Sequence, residues 1–285
     1  QQSIESNRAA HAAALNYVQK TSGPGSYDQE TVHTMDYLVY AYLQSAQDDA
    51  AKAVVDELIG FRRSEGPNLA GAYAVAAIPV RYVLERHDWA AAAALSEPAI
   101  GFPLERFPWA EAMIAYAHAL GQARTGNLAG AETEIGRLQS LAAELKGKDA
   151  YWANQVEVQR LAAVGILAHV RGDDKQAVES LRAAADLDAT MDKHPATPSS
   201  VLPARELLAD LLLELNQPAA ALAEYQAMLK TDPNRFRSLL GKARAAKQTG
   251  DAESARDAYG KLVALSKPVG PARPELAEAS TYLAN

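Results

Sequence analysis

Hydrophobic and polar positions alternate along this chain with a helical period, and most clearly between Leu202 and Pro233. Leu208, Leu211, Leu212 and Leu215 fall at i, i+3, i+4 and i+7, which is one apolar stripe on a helix. Asn216-Gln217-Pro218 breaks the stripe, and proline suits the first turn of a following helix because its missing N–H would be unpaired there anyway. Ala221, Leu222, Tyr225, Met228 and Leu229 make the second stripe, which Asp232-Pro233-Asn234 ends. Neither helix buries its stripe alone. Packed antiparallel they bury part of it, and a neighbouring pair must cover the rest.

The same pattern predicts helices along nearly the whole sequence, with no sheet. Gln1–Lys20 reads as a single helix, with Ile4, Ala10, Ala14 and Leu15 on its apolar side, and Thr21–Ser26 as a loop. Helix pairs follow at about 28–60, 69–99, 109–145, 151–189, 202–233 and 234–267, then a break from Pro268 to Pro274 and a capping helix at 275–283. The turns inside the pairs are short: Ala46-Gln47-Asp48, which lacks glycine, then His87-Asp88-Trp89, Gly126-Asn127, Gly172-Asp173 and Gly250-Asp251. Glycine suits the left-handed position just past a helix, and Asp or Asn caps the next one. Pro79 is expected to kink or loosen its helix, and Gly165 to permit a close helix contact. Residues 62–68, 100–108 and 190–201 (TMDKHPATPSSV) read as irregular connections. The last of these, carrying Lys193 and His194, is long enough to be functional, but reads equally as a rigid spacer. Gln1–Lys20 resembles the second half of a pair, so the chain reads as a fragment or a processed product, with an apolar edge expected to drive self-association.

Ala221 and Ala255 lie 34 residues apart, as do Tyr225 and Tyr259. This period, with the small residue, the tyrosine and Pro233, resembles the tetratricopeptide repeat. PSSVLPARELLADLLLEL and the segment at Asp36–Gln44 are similar to uncharacterised bacterial proteins of that family. Further equivalent small residues are Ser3, Ala51, Ala92, Ala131 and Ala177, at spacings from 39 to 48 residues, so the array is degenerate. The resemblance implies an all-α fold, a right-handed superhelical array of antiparallel helix pairs (an α-solenoid), in which first helices line a concave groove. Carried over in register, the lining is His33, Asp36, Tyr40, Arg81, Met113, Tyr116, Gln159, His169, Glu206, Asp210, Arg237, Arg244 and Lys247. An acidic or C-terminal peptide is expected near Arg237, Arg244 and Lys247, with an apolar anchor against Tyr116 and Met113. Charge reversal at Arg81 or Arg244 is expected to leave folding intact and abolish capture, with Arg182 as an outer-helix control. The chaperone-tail clamp of some family members uses lysine and asparagine where His33, Asp36, Tyr40 and Arg81 stand here, so binding of such tails is not implied.

Composition narrows the field. Charged residues make up 22% of the 285, too many apolar partners remain for a disordered chain, and a net charge of −7 disfavours nucleic acid. There is no cysteine, which removes disulfides and thiolate metal sites and fits a bacterial cytoplasm or periplasm equally. No apolar run reaches membrane-spanning length. The six histidines show no HExxH spacing, and there is no GxSxG or phosphate-cradling glycine loop. Glu206 and Asp210, four apart, are expected to face water; Trp89, Trp109, Trp152 and His118 are expected to be packing residues. The expected function is a protein- or peptide-binding scaffold with no catalysis, metal or cofactor of its own. The alternative is a small-molecule or metal-binding protein, or an enzyme fragment, using His33 and Asp36 or the His194 loop.

Overall fold

The computed structural model describes residues 2–266 and 273–285; most of the break expected at 268–274 lies outside them. Among the described residues there are fourteen α-helices, one turn of 3-10 helix at Leu104–Arg106 and two short strands. The helices are α1 (Gln2–Ser22), α2 (Gln29–Gln44), α3 (Asp48–Gly60), α4 (Leu69–Leu84), α5 (Trp89–Ala93), α6 (Pro108–Arg124) and α7 (Leu128–Leu145). They continue with α8 (Ala150–Val170), α9 (Asp174–Asp188), α10 (Ala204–Glu214), α11 (Pro218–Thr231), α12 (Phe236–Thr249), α13 (Ala252–Leu265) and α14 (Pro274–Ala284). Each helix packs on its neighbour in sequence, and α2, α4, α6 and α8 also pack on one another in that order, as α10 does on α12. The result is repeat-like: paired helices whose first members make an inner layer.

One turn geometry recurs six times. Ala46, His87, Gly126, Gly172, Asn216 and Gly250 all have φ between 52° and 88°, and each is followed at once by the residue that precedes the next helix. Asp88, Asn127, Asp173 and Asp251 then cap α5, α7, α9 and α13 through backbone N–H groups of their first turns. The turn at Ala46, which the sequence makes look poor for want of glycine, adopts the same shape at a cost of about 1–2 kcal/mol for a left-handed alanine.

Small residues set the spacing within pairs. Ala51, Ala92, Ala131, Ala177, Ala221 and Ala255 are all fully buried, whereas Ser3 is exposed on α1, so that helix does not repeat the contact. A Cβ on Gly165 would sit 2.7 Å from Leu181 Cγ and 3.0 Å from the Ala177 carbonyl, so the expected close contact of α8 with α9 is present. Helix α4 is buried on every side and runs through Pro79 without a break.

The expectation of helices with no sheet is corrected. The loops at 21–26 and 62–68 are not wholly irregular: β1 (Ser26–Asp28) and β2 (Arg63–Glu65) pair in parallel, closing α2 and α3 into one unit. Helix α5, the second helix of its pair, is five residues long and ends before Pro98, as the sequence implies. Helix α1 packs on α2 but buries only Val18, and His11 fastens it through the Thr31 carbonyl at 3.3 Å and Glu57 at 2.9 Å. Its exposed side carries Tyr17.

Apolar burial falls into two clusters. The larger runs from Tyr27 to Tyr225 and takes in Ala245 of α12, and the smaller joins Phe236, Leu239, Leu240, Tyr259, Leu262 and Leu276 to Ala46. The second cluster therefore reaches back to the first helix pair. The Phe236 N–H donates to Gln44 Oε1 at 2.8 Å, Arg237 Nε donates to the Glu85 carbonyl at 3.0 Å, and Arg273 pairs with Asp48. Residues near the two ends of the helical series are thus in direct contact.

Candidate functional site

The inner layer of first helices does not face open solvent. The connection between α9 and α10 turns inward and lies across it. Arg81 Nη1 donates to the Ser200 carbonyl at 2.9 Å and Nη2 to the Ser199 carbonyl at 3.0 Å, while Nε donates to Asp36 Oδ1 at 3.2 Å. The Tyr73 hydroxyl donates to the same Ser199 carbonyl at 3.0 Å, and the Tyr116 hydroxyl to that of Leu202 at 3.5 Å. Val201 and Leu202 seat beside Met113, Tyr116, Trp109 and Trp152, leaving a residual space of about 30 Å³. The place expected for a partner's apolar anchor is filled by the chain itself.

Charge on this face is paired inward. Arg235 is fully buried and donates through Nε and Nη2 to Glu206 at 3.0 and 2.7 Å, with Glu85 at 2.8 Å. The Ser238 hydroxyl also donates to Glu206. Burial would raise the Glu206 carboxyl, but Arg235 and Ser238 hold it below the usual carboxylate range. Asp36 is raised by burial despite Arg81 beside it, and its Oδ2 has no partner. Arg81 in α4 and Glu85, the residue that ends it, are one turn apart, so this one stretch carries one member of each buried ion pair.

At the basic end, α14 lies over the cations. Arg237 reaches Glu275 at 3.2 Å, Arg244 pairs with Glu278 at 2.6 Å, and the Lys247 ammonium stands 5.7 Å from the Tyr282 ring centre. The acidic segment expected there is this chain's own last helix.

Of the predicted lining, Asp36, Arg81, Met113, Tyr116 and Glu206 are therefore buried, not displayed. Charges buried without partners are expensive, so each was bound to find one within the fold. The expectation that Glu206 faces water fails for the same reason. Charge reversal at Arg81 would set a carboxylate against Asp36 and cannot leave the fold unchanged. Tyr40 lies beneath the Arg81 guanidinium at 5.3 Å. Gln159 is half-buried with Oε1 unpaired, and His33 meets Tyr37 edge-on. His169 bridges Asp174 at 2.7 Å and Glu214 at 3.1 Å. Among the described residues no three His, Asp or Glu side chains are grouped to hold an ion, and Asp36 is paired with Arg81. His194 is packed against Tyr151 and Trp152, and His118 bonds the Leu95 carbonyl at 2.6 Å. Trp109 and Trp152 stack at 4.1 Å, as packing residues.

A cavity flanks the inserted segment, and a second lies apart from it. The first, of about 390 Å³, lies between that segment and α8, α9 and α11, lined by Tyr151, Gln155, Asp188, Lys193, Arg205 and Asp232 among others. The other, of about 300 Å³, is lined by His87, Trp89, Arg124, Asp210, Glu214, Tyr225, Arg237 and Arg244 with Leu207, Leu213 and Leu240. His87, Trp89, Arg124 and Tyr225 were not among the residues expected to line a groove. His87 and Trp89 belong to a turn and Tyr225 to an apolar stripe, and nothing in the sequence marks Arg124; the only signal for His87 was its place in the turn. Among the described residues no helix is long and apolar enough to cross a membrane. No protein-family model matches the chain, and no curated protein matches it.

Proposed function

We propose that the chain is a tetratricopeptide-like scaffold, a right-handed superhelical array of antiparallel helix pairs, that binds an extended peptide on its inner face and catalyses nothing itself. One observation carries this reading. The inner face already holds a non-helical segment of the chain, Ser199–Leu202, by its carbonyls and its aliphatic side chains. Carbonyl-directed donors accept any sequence, and the aromatic seat selects adjacent aliphatic residues, which is how peptide grooves divide affinity and specificity. A partner peptide would carry small polar residues followed by an aliphatic pair, and would compete with the chain's own loop. The adjacent 390 Å³ cavity gives it room to enter. An enzymatic or metal-binding use of His33 and Asp36 has no comparable support, since Asp36 is committed to Arg81.

The test is complementation in trans. Residues 192–202 are replaced by a Gly/Ser linker of equal length, and a fluorescent ATPSSVLP peptide is titrated in while anisotropy is read. The opened variant should bind the peptide and gain thermal stability, and the intact chain should bind it far more weakly. An opened variant that keeps its helical circular dichroism yet ignores the peptide would overturn the proposal.

A further inference from the structure

The 300 Å³ cavity holds chemistry that the peptide-binding reading does not use. Three buried polar atoms around it lack a hydrogen-bond partner: Asp210 Oδ2, His87 Nε2 and Arg124 Nε. Each belongs to a side chain otherwise held in place. The Tyr225 hydroxyl donates to Asp210 Oδ1, fixing that carboxyl on α10. His87 sits at a left-handed turn position and stacks on Trp89 at 4.7 Å. Arg124 gives Nη1 and Nη2 to Glu214 at 3.1 and 3.2 Å and lies 5.8 Å from the Trp89 ring centre. Asp210 Oδ2 and His87 Nε2 are 3.9 Å apart, too far to bond each other and close enough to bond one atom set between them. A buried polar group gains about 1–3 kcal/mol when it is bonded, so three turned to one space favour a polar occupant there.

The sign of the occupant follows from the surroundings. Burial, then Arg237, Arg124, Arg235 and Arg273, hold the His87 imidazole well below its ordinary value, so a cation is disfavoured where His87 Nε2 points. Neutral His87 has one N–H to give. Burial and Glu206 push Asp210 up to about 7 against the Tyr225 hydroxyl and Arg237, so near neutrality it has a proton to give as well. Leu207, Leu213, Leu240 and the Trp89 ring supply an apolar wall. A volume of about 300 Å³ is at the lower end of ligand pockets, the size of roughly ten waters. Glu214 and Asp210 both border the space and oppose a divalent anion more than a single carboxylate, while Arg237 and Arg244 line it and are paired with Glu275 and Glu278.

We propose that this cavity binds a small organic monocarboxylate, its carboxylate oxygens between His87 Nε2 and Asp210 Oδ2 and facing Arg237 and Arg244, its hydrocarbon part on Leu207, Leu213, Leu240 and Trp89. The site lies apart from the Ser199–Leu202 seat, so it extends the peptide-binding reading without depending on it.

The experiment uses the full chain with 15N-labelled tryptophan indoles, the Trp89 resonance being assigned from Trp89→Phe. Acetate, butyrate and benzoate are titrated in, with butylamine and inorganic phosphate as contrasts. Butyrate or benzoate should shift the Trp89 indole saturably while the Trp109 and Trp152 resonances stay in place. His87→Asn, which tolerates the left-handed backbone, and Asp210→Leu should each weaken binding roughly tenfold or more, the loss of one hydrogen bond to a charged group. Asp210→Asn, which keeps a donor there, should retain it. A saturable response to butylamine or phosphate instead, no response to any carboxylate, or a response that His87→Asn leaves unchanged would each overturn the assignment. Should Asp210→Leu fail to fold, His87→Asn and the parent titration decide it alone.

Discussion

A carboxyl group that leaves one oxygen unbonded inside a protein holds its proton longer than one in water, and Asp210 is such a group. Burial raises it to about 7, Glu206 and Glu214 act in the same direction, and the Tyr225 hydroxyl and Arg237 oppose them. His87, Arg124 and Arg244 are the other ionisable groups around its cavity. The unfolded chain releases this proton near the ordinary Asp value, the folded chain about three units later. Between those values the folded state binds more protons, so stability falls as pH rises from about 4 to about 7 and is level beyond. Asp210→Asn removes that dependence. Relative to the parent, the variant should be similar at pH 4 and gain up to a few kcal/mol by pH 8, read as the difference between their urea midpoints across that range. Equal pH profiles for the two proteins would show that Asp210 ionises normally. At Arg235 the opposite holds, because both of its carboxylate partners depend on it. Arg235→Met strands Glu206 and Glu85 in a buried place, and about 3–5 kcal/mol of stability should be lost in the same urea titration. A loss below 1 kcal/mol would mean that water reaches the pair.

Among the elements, α11 and α12 meet most closely at Gly241, where an added Cβ would stand 2.1 Å from the Tyr225 ring. Tyr225 fills the gap between its own helix pair and the next, and its hydroxyl is what fixes Asp210. Gly241→Ala must therefore push the ring aside, at about 1–3 kcal/mol of overpacking. Gly136 in α7 has nothing within 4 Å of the same added atom, so Gly136→Ala should stabilise by roughly 0.5–1 kcal/mol. Thermal melts of the two variants give opposite signs if close packing, not glycine's flexibility, governs Gly241. Such elements were legible beforehand. Leucine stripes, Gly-Asp turns and the alanines from Ala51 to Ala255 are local signals, written where they act. What Ser199–Leu202 does was not legible, because it is held by its carbonyls, and a carbonyl looks the same in every residue. Nor was the inward pairing of Asp36, Arg81, Glu206 and Arg235. A charge at helical spacing reads as a solvated face until the helix opposite brings the counter-charge. His87 was hidden differently: its position in a turn could be read, but the cavity formed by α6, α10 and α12 around it could not.

At the scale of the whole molecule, the second apolar cluster packs on the first where α12 meets α11, and polar contacts of long sequence separation tie it back to the early helices as well. Gln44 with Phe236, Glu85 with Arg235 and Arg237, and Asp48 with Arg273 join the first helix pairs to α12 and the approach to α14. An open repeat array gains stability only from neighbours, and its end units loosen first. Here the end units are tied back to the beginning, so α12–α14 should unfold together with the rest. The three tryptophans, Trp89, Trp109 and Trp152, all lie in the middle of the chain. Tryptophan fluorescence thus reports the central helices, and far-ultraviolet circular dichroism reports all of them. In the parent the two signals should follow one urea transition, the signature of a single cooperative unit. Gln44→Ala combined with Arg273→Ala cuts two of the ties while leaving the apolar contacts of α12 and α13 in place. Circular dichroism should then begin to fall at lower urea than fluorescence, and amides of α12–α14 should exchange hydrogen faster than those of α6–α9. Coincident transitions in the double variant would mean that the packing of α12 on α11, the Ala46 contact and the Arg235 ion pairs suffice to couple the two clusters. Separate transitions already in the parent would show that these ties contribute little and that the array behaves as a row of neighbours.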